Sequence, residues 1–202
     1  MAEFDRSIRL VGSYFDRRGL GSVFRSVRGI RAVRQESFHD VRTLTIGLNP
    51  RDVRKPFAAF HNRTYLLIHE LGHHFVETRL GKRDRKRLVQ LFGSYDAPYR
   101  RAPKPRRCGP DHVSRYAMTH PAEDIAETFA VCLWRDWEPR AVRDLLAARS
   151  PACRRKVAAI GSLIGRERRR DAARRLPRTV PLREPARFST RTASPPRRSS
   201  RR

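Results

Sequence analysis

Residues 65–80 read YLLIHELGHHFVETRL. The apolar residues recur at helical spacing, so this stretch predicts an α-helix, which we expect over residues 56–79. His69 and His73 are four residues apart and therefore lie side by side on one face of that helix. Two imidazoles so placed can bind one zinc ion, and Glu70, about 100° round the helix, can act as the general base. This is the HExxH pattern of zinc hydrolases; the alternative is a half-buried helix with incidental histidines.

Two histidines leave a catalytic zinc site without its third protein ligand. A metzincin would supply it from a downstream glycine and histidine, but Val76 and Arg79 stand at those offsets. His74 follows His73 and points to a different face, so we expect it at the surface or behind a ligand. Gly72 lies within the helix, where glycine costs about 1 kcal/mol relative to alanine. It predicts the close approach of another backbone.

A second helix, predicted over residues 121–134, offers the missing ligand. Residues 120–130 read HPAEDIAETFA, in which Glu123 and Glu127 share one helix face. If this helix packs against the first, Glu123 can bind zinc and Glu127 can accept the outer ring N–H of a ligand histidine. The alternative is that Glu123 and Asp124 merely complement the positive N-terminus of the helix, which leaves Glu127 unexplained.

The two motifs together resemble a known family. HELGHHF followed by SRYAMTHPAEDIAETFA resembles the zinc-binding metallopeptidases of bacteria, and it is also similar to the catalytic domain of anthrax lethal factor, a gluzincin. The resemblance runs from about residue 62 to residue 134. The site that it implies consists of the zinc ligands His69, His73 and Glu123, the general base Glu70, and Glu127 behind the ligands. We also expect Asp124, next to Glu123, to lie close behind the ligands.

The resemblance also implies a donor for the oxyanion that forms during peptide hydrolysis. In the lethal factor pattern a tyrosine seven residues before the ligand glutamate has this role, and Tyr116 stands at that spacing. His120 is a second candidate for an oxyanion or substrate contact. The alternatives are a packed aromatic ring for Tyr116 and a residue at the start of the helix for His120. We expect one Zn²⁺ per chain and a peptide or protein substrate.

The rest of the chain predicts an α+β fold. We expect a zincin-like minimal metallopeptidase, in which a small mixed or antiparallel sheet packs on the two site helices. Gly81 should cap the first of them. The strand before that helix could align an extended substrate by edge pairing. The other predicted elements are a helix over 5–17, strands near 29–35 and 41–48, and helices over 84–93, 139–148 and 154–174.

Composition divides the chain into three parts. We predict a catalytic domain at 1–150, whose first 50 residues hold the N-terminal helix and strands, and an arginine-rich helical extension at 151–175. Residues 176–202 are rich in proline, serine and arginine and should form a disordered basic tail. The net charge of +26 attracts nucleic acid and acidic proteins without any dedicated site, so it assigns no function.

Other sequence features concern location and competing functions. Cys108, Cys132 and Cys153 form no CxxC pair, and their odd number suits a reducing compartment. With no signal peptide and no membrane-spanning stretch evident, we expect a cytoplasmic protein. The competing functions are a nucleic-acid-binding protein that makes non-specific contacts through its basic surface and tail, a zinc-bound but inactive interaction module, and a zinc hydrolase that acts on other substrates. The basic composition favours acidic or nucleic-acid-associated substrates.

Overall fold

A computed structural model of the protein describes residues 2–49, 63–100 and 108–175. These residues form seven α-helices, one 3-10 helix and three strands. The helices are α1 (Ala2–Arg17), α2 (Gly21–Arg25), α3 (Arg63–Arg79), α4 (Lys82–Phe92), α5 (Pro121–Trp134), α6 (Pro139–Ala147) and α7 (Pro151–Arg175), with the 3-10 helix at Tyr116–Met118. The strands are β1 (Gly29–Ala32), β2 (Phe38–Asp40) and β3 (Thr45–Leu48). This mostly helical chain with a small sheet agrees with the α+β class.

The sheet is mixed and has the order β1–β3–β2. β1 runs parallel to β3, and β2 runs antiparallel to it with His39 opposite Ile46. The prediction of two strands was wrong in one respect: β2 is a third strand, too short to show an alternating pattern. Because β3 lies between the other two, it has no free edge for a substrate. The edge strand on the side of the site is β2.

α3 lies at the centre of the fold, where it contacts α1, α2, β2, β3 and α5. Its apolar residues surround the helix rather than forming one stripe, since Leu67, Ile68 and Leu71 are all fully buried. The helix ends at Arg79, as predicted, and the predicted residues 56–62 lie outside the described part of the chain. The packing therefore fixes α3 on several sides, which suits a helix that carries a site.

Gly81, which the sequence predicts as the C-terminal cap of α3, does not have that role. Gly81 has φ −78° and ψ 171°, so it is an extended residue at the start of α4 and not a left-handed cap. A positive φ is found instead at Gly93, where φ is 105° and α4 ends. The chain therefore passes directly from α3 to α4 through Leu80 and Gly81, without the usual glycine stop.

α7 is part of the main core rather than an extension of the domain. Val157, Ile160 and Ile164 are buried in the same cluster as the apolar residues of α3 and α5. The thiol of Cys132 on α5 donates to the carbonyl of Val157, with 3.4 Å between sulfur and oxygen. Residues of the predicted 151–175 extension therefore contribute to the core, and the domain boundary at residue 150 stays a prediction. The predicted tail at 176–202 lies outside the described residues.

Two further sequence expectations concern cysteines and membranes. Cys108, Cys132 and Cys153 are all free thiols in the structure. Among the described residues, no helix has both the length and the apolar character needed to cross a bilayer.

Candidate metal centre

Three side chains from two helices converge where α3 packs on α5. The Nε2 atom of His69 lies 3.0 Å from Oε2 of Glu123, and Nε2 of His73 lies 3.5 Å from the same oxygen. One donor atom from each residue lies within 4.8 Å of the other two. The structure therefore brings together the three residues that the sequence predicts as metal ligands.

This set of donor atoms fits zinc. Donors about 2.1 Å from a tetrahedral zinc ion are separated by about 3.4 Å, close to the two separations measured here. Two imidazole nitrogens and one carboxylate oxygen leave a fourth position for water or substrate, which is typical of catalytic zinc sites. Fully structural sites use four protein ligands instead.

Glu127 supports the site from one turn further along α5. Nδ1 of His69 donates to Oε1 of Glu127 over 2.7 Å, which leaves Nε2 directed at Glu123. The hydroxyl of Tyr65 donates to the other oxygen of Glu127 over 3.2 Å. A carboxylate behind a ligand histidine fixes the ring orientation and makes its outer nitrogen more basic. Tyr65, which sequence reasoning missed, lies one helical turn before His69 and holds that carboxylate.

The acidic residues control the charge of His69. Burial opposes the protonated ring, but hydrogen bonds to Glu123 and Glu127, with the charges of Glu127 and Glu70, raise the pKa of His69 to about 10. Burial would raise the pKa of Glu123, yet hydrogen bonds from His69 and His73 hold it well below its ordinary value. The cluster therefore favours a cation between these side chains, whether proton or metal.

Two of the candidate ligands, His73 and Glu123, line a cleft of about 380 Å³. Glu70 lines this cleft although it is only 2% exposed, and Tyr116 lines it from the 3-10 helix. The ring centroid of Tyr116 lies 5.7 Å from that of His69. Both residues that the sequence assigns to catalysis are thus on the cleft wall; their chemical roles stay predictions.

The close contact of α3 and α5 depends on Gly72. A Cβ at this position would lie 3.0 Å from the Cα of Ala126 and 3.2 Å from Cδ1 of Phe129. The expected approach of another backbone is confirmed, and that backbone is the ligand helix itself. Gly72 therefore sets the separation between the two helices, and with it the separation of the metal ligands.

Asp124 is not placed beside the metal ligands. Its Oδ2 accepts a hydrogen bond of 2.6 Å from Nζ of Lys156 on α7, and the carboxyl group is only 2% exposed. Burial raises the pKa of Asp124 to about 6, against the lowering effect of the Lys156 ammonium. The expectation of a contact near the ligands was wrong because successive residues of a helix are about 100° apart. Asp124 therefore joins α5 to α7.

His120 has a structural role at the start of α5. Its Nδ1 accepts the N–H of Ala122 over 3.1 Å, and its Nε2 donates to the carbonyl of Ala97 over 2.8 Å. With both ring nitrogens engaged, His120 has no donor left for an oxyanion, so that expectation is corrected in favour of the alternative. The imidazole also stacks on the ring of Tyr99, with centroids 4.1 Å apart and planes 7° from parallel.

Tyr99 is a site residue that sequence reasoning missed. Its hydroxyl donates to Oε1 of Glu123 over 2.8 Å, and its ring lines the cleft. Oε2 of Glu123 is thereby the oxygen that faces the two histidines. The segment LFGSYDAPY, which ends at Tyr99, stands between the two motifs, but no spacing rule relates a loop residue to a helix 24 residues later.

His74 is fully buried, so the expectation of a surface histidine was wrong. Its Nε2 lies 2.9 Å from Oγ of Ser26, and its Nδ1 lies 3.0 Å from Nε2 of His39. His39, on β2, lines the same cleft as Glu70. Sequence reasoning did not single out His39, and its contact with His74 joins residues 35 apart in the chain.

The site has the residues of a candidate zinc hydrolase: two histidines and a glutamate whose donor atoms converge, and a further buried glutamate on the adjoining cleft. Residues 59–137 match the model of a family described as "Putative zinc-binding metallo-peptidase". The matched residues include all three candidate ligands, Glu70 and Tyr116. No curated protein and no solved structure matches the chain. The gluzincin class and the similarity to anthrax lethal factor therefore stay predictions.

Proposed function

We propose that the protein is a zinc-dependent metallopeptidase of the gluzincin type. His69, His73 and Glu123 would hold one zinc ion, and the convergence of their donor atoms is the observation that carries the proposal. The family match over residues 59–137 supports the same class of activity. Zinc in such a site acts as a Lewis acid that polarises a carbonyl group and lowers the pKa of water.

Glu70 serves as the general base. It is buried on the cleft wall one residue after His69 and lines the same cleft as His73 and Glu123. Glu70 accepts a proton from the attacking water while the water oxygen bonds to the peptide carbonyl carbon. It then delivers this proton to the leaving nitrogen as the C–N bond breaks, so that hydrolysis is balanced.

Tyr116 serves as the donor for the negatively charged oxygen of the tetrahedral intermediate. Its ring lines the cleft beside His69, whereas both nitrogens of His120 are already engaged. A hydroxyl donor aimed at a developing oxyanion typically contributes about 10²- to 10³-fold to turnover. β2, whose residues Phe38 and His39 line the cleft, provides an edge along which an extended peptide can lie.

Metal content and turnover test this proposal. The purified protein should contain about one zinc per chain, and His69→Ala should lose it, since two ligands do not hold zinc tightly. His112→Ala, at a histidine outside the ligand set, is the matched control and should keep the metal. Full zinc retention in His69→Ala would refute the site.

The role of Glu70 is tested separately. Glu70→Gln should retain zinc and lose about 10³-fold in the cleavage of a mixed fluorogenic peptide library, because the amide cannot accept the proton. Glu138→Gln, at an exposed position before α6, should behave as the unaltered protein. A zinc-bound interaction module without activity would show equal, background turnover in the unaltered protein and in Glu70→Gln.

A further inference from the structure

A chain of hydrogen bonds runs from α2 through α3 to the edge strand. The hydroxyl of Ser26 donates to the carbonyl of Val23 over 2.7 Å. The same oxygen lies 2.9 Å from Nε2 of His74, and Nδ1 of His74 lies 3.0 Å from Nε2 of His39. NH2 of Arg79 also donates to the Ser26 oxygen over 2.9 Å.

The direction of each bond follows from the donors available. Ser26 has a single hydroxyl proton, and the carbonyl of Val23, which can only accept, takes it. His74 must therefore donate to Ser26 through Nε2. The ring of His74 is fully buried, its hydrogen-bond partners among the described residues are Ser26 and His39, and the Arg79 guanidinium shares the Ser26 oxygen with it. A buried ring beside a cation and without an anionic partner favours the neutral form, in which Nδ1 accepts from His39.

The hydrogen bond to His74 thereby determines which ring nitrogen of His39 carries the proton. Its Nε2 carries the proton that it donates to His74, and burial is the main effect that lowers the pKa of His39 to about 4. Its Nδ1 is consequently an acceptor, and no described residue bonds to it. Since His39 lines the cleft, it offers a substrate an acceptor rather than a donor. It is therefore suited to bind an N–H group and unsuited to stabilise an oxyanion.

The charges around the cleft favour a cationic donor. The described residues that line it include four carboxylates, Glu36, Glu70, Glu77 and Glu123, and neither lysine nor arginine. Glu70 and Glu123 together balance the charge of one zinc ion. Glu77 pairs with Arg85 over 2.8 Å, in a bridge that is partly exposed. Glu36, exposed and three residues before His39, thus adds a negative charge to the cleft of a chain whose net charge is +26.

We propose that the cleft selects peptides that carry a lysine or arginine near the cleaved bond, with His39 accepting an N–H of that side chain and Glu36 balancing its charge. A charged N–H donor to a neutral imidazole makes a charge-assisted hydrogen bond. This assignment of substrate class rests on the proposed peptidase activity. It runs against the bulk charge of the molecule, whose long-range repulsion is screened beyond about 8 Å at physiological ionic strength.

Peptide pools test the preference. Each pool of a fluorogenic library carries lysine, norleucine or glutamate at one fixed position. At physiological salt, we expect the lysine pool to be cleaved at least about tenfold faster than the norleucine pool at one position or more, with the glutamate pool slowest. Equal rates at every position, or preference for glutamate, would overturn the proposal.

Variants connect the preference to the two residues. Glu36→Lys should invert the ratio of lysine to glutamate turnover, and His39→Leu should reduce the ratio of lysine to norleucine turnover by about tenfold. Asp144→Asn removes an exposed acid outside the cleft and should leave both ratios unchanged. If Glu36→Lys and His39→Leu leave them unchanged too, the assignment is wrong.

Two measurements keep this inference separate from the proposed activity. If no pool is cleaved, the proposed peptidase activity is refuted, and peptide binding then tests the substrate preference by itself. Fluorescence anisotropy with the zinc-loaded Glu70→Gln protein should show tighter binding of the lysine peptides than of the glutamate peptides. Equal binding of the two sets of peptides would overturn the preference. Nitrogen-15 NMR of the zinc-loaded protein should show His39 protonated at Nε2 and bare at Nδ1. The opposite tautomer would overturn the role of His39 whatever the turnover.

Discussion

Glu123 shows how one side chain depends on several others for its orientation. Its Oε1 accepts from Tyr99, and its Oε2 faces His69 and His73. Tyr99 is itself held by its stacking on His120, whose two nitrogens are bonded to backbone groups. The loop that carries Tyr99 therefore orients a candidate metal ligand on α5.

Tyr99→Phe should weaken zinc binding by about tenfold, because removing a group that orients a ligand typically costs 10- to 100-fold in metal affinity. The phenylalanine ring can keep the stacking on His120, so the loop should stay in place. Competition with a chromophoric chelator measures the affinity. The visible spectrum of the cobalt-substituted protein should also change, because the carboxylate ligand is free to reorient.

Tyr95→Phe is the matched control for that change. The hydroxyl of Tyr95 is buried without a hydrogen-bond partner among the described residues, and Tyr95 is outside the set that lines the cleft. Its zinc affinity should stay within about twofold of the unaltered protein. Equal affinities for Tyr99→Phe and Tyr95→Phe would show that the contact of Tyr99 with Glu123 does not orient the ligand.

At the scale of elements, the contact of α3 with α5 determines whether the ligands converge. Gly72→Ala should lower the free energy of unfolding by about 1–3 kcal/mol, since the added methyl group would press on the backbone of Ala126. Urea denaturation measures this loss. The change should also weaken zinc binding, because the helices must separate to accommodate the methyl group.

Gly161→Ala should stabilise the protein, in contrast to Gly72→Ala, if close helix contact is the reason for the loss at Gly72. Gly161 is also a mid-helix glycine, in α7, but nothing lies within 4 Å of the place where its Cβ would be. Alanine there should raise the free energy of unfolding by about 0.5–1 kcal/mol through helix propensity alone. Stabilisation by both substitutions would mean that α3 and α5 are not in tight contact at Gly72.

The sequence predicted those parts of the site that obey a local period. The spacing of His69 and His73, and of Glu123 and Glu127, places each pair on one helix face, and Gly72 indicated the close contact between the helices. The hydrogen-bond partners of these residues could not be predicted from the sequence. Tyr99 is on an irregular loop, and His39 is on a strand of three residues, so that neither belongs to a repeating pattern. Their contacts arise only when distant segments pack together.

At the scale of the whole molecule, α7 is joined to the ligand helix by a buried ion pair. Lys156 and Asp124 are 10% and 2% exposed, and their charged groups are 2.6 Å apart. Lys156→Met should lower the free energy of unfolding at pH 7 by about 3 kcal/mol, because it leaves the Asp124 carboxylate buried without its cation. Urea denaturation at pH 7 measures the change.

Two further variants test this explanation. Arg143→Met disrupts an exposed pair with Asp144, whose side chains are 73% and 77% exposed, and should change the free energy of unfolding by less than about 0.5 kcal/mol. Adding Asp124→Asn to Lys156→Met should restore part of the loss, since the uncompensated charge is removed. A loss in Lys156→Met no larger than that in Arg143→Met would contradict a buried, energetically important pair.

The position of α7 in the core also shows that the limits of the family match differ from the limits of the folded part of the chain. The family match ends at residue 137, while the apolar faces of α3 and α5 are covered in part by α1, by β3 and by α7, all outside the matched residues. A fragment trimmed to the matched residues would expose the apolar faces of α3 and α5 to water, and we expect it to aggregate. The stretch that carries the candidate site is thus shorter than the stretch that can fold, and a soluble minimal fragment has to retain residues on both sides of it.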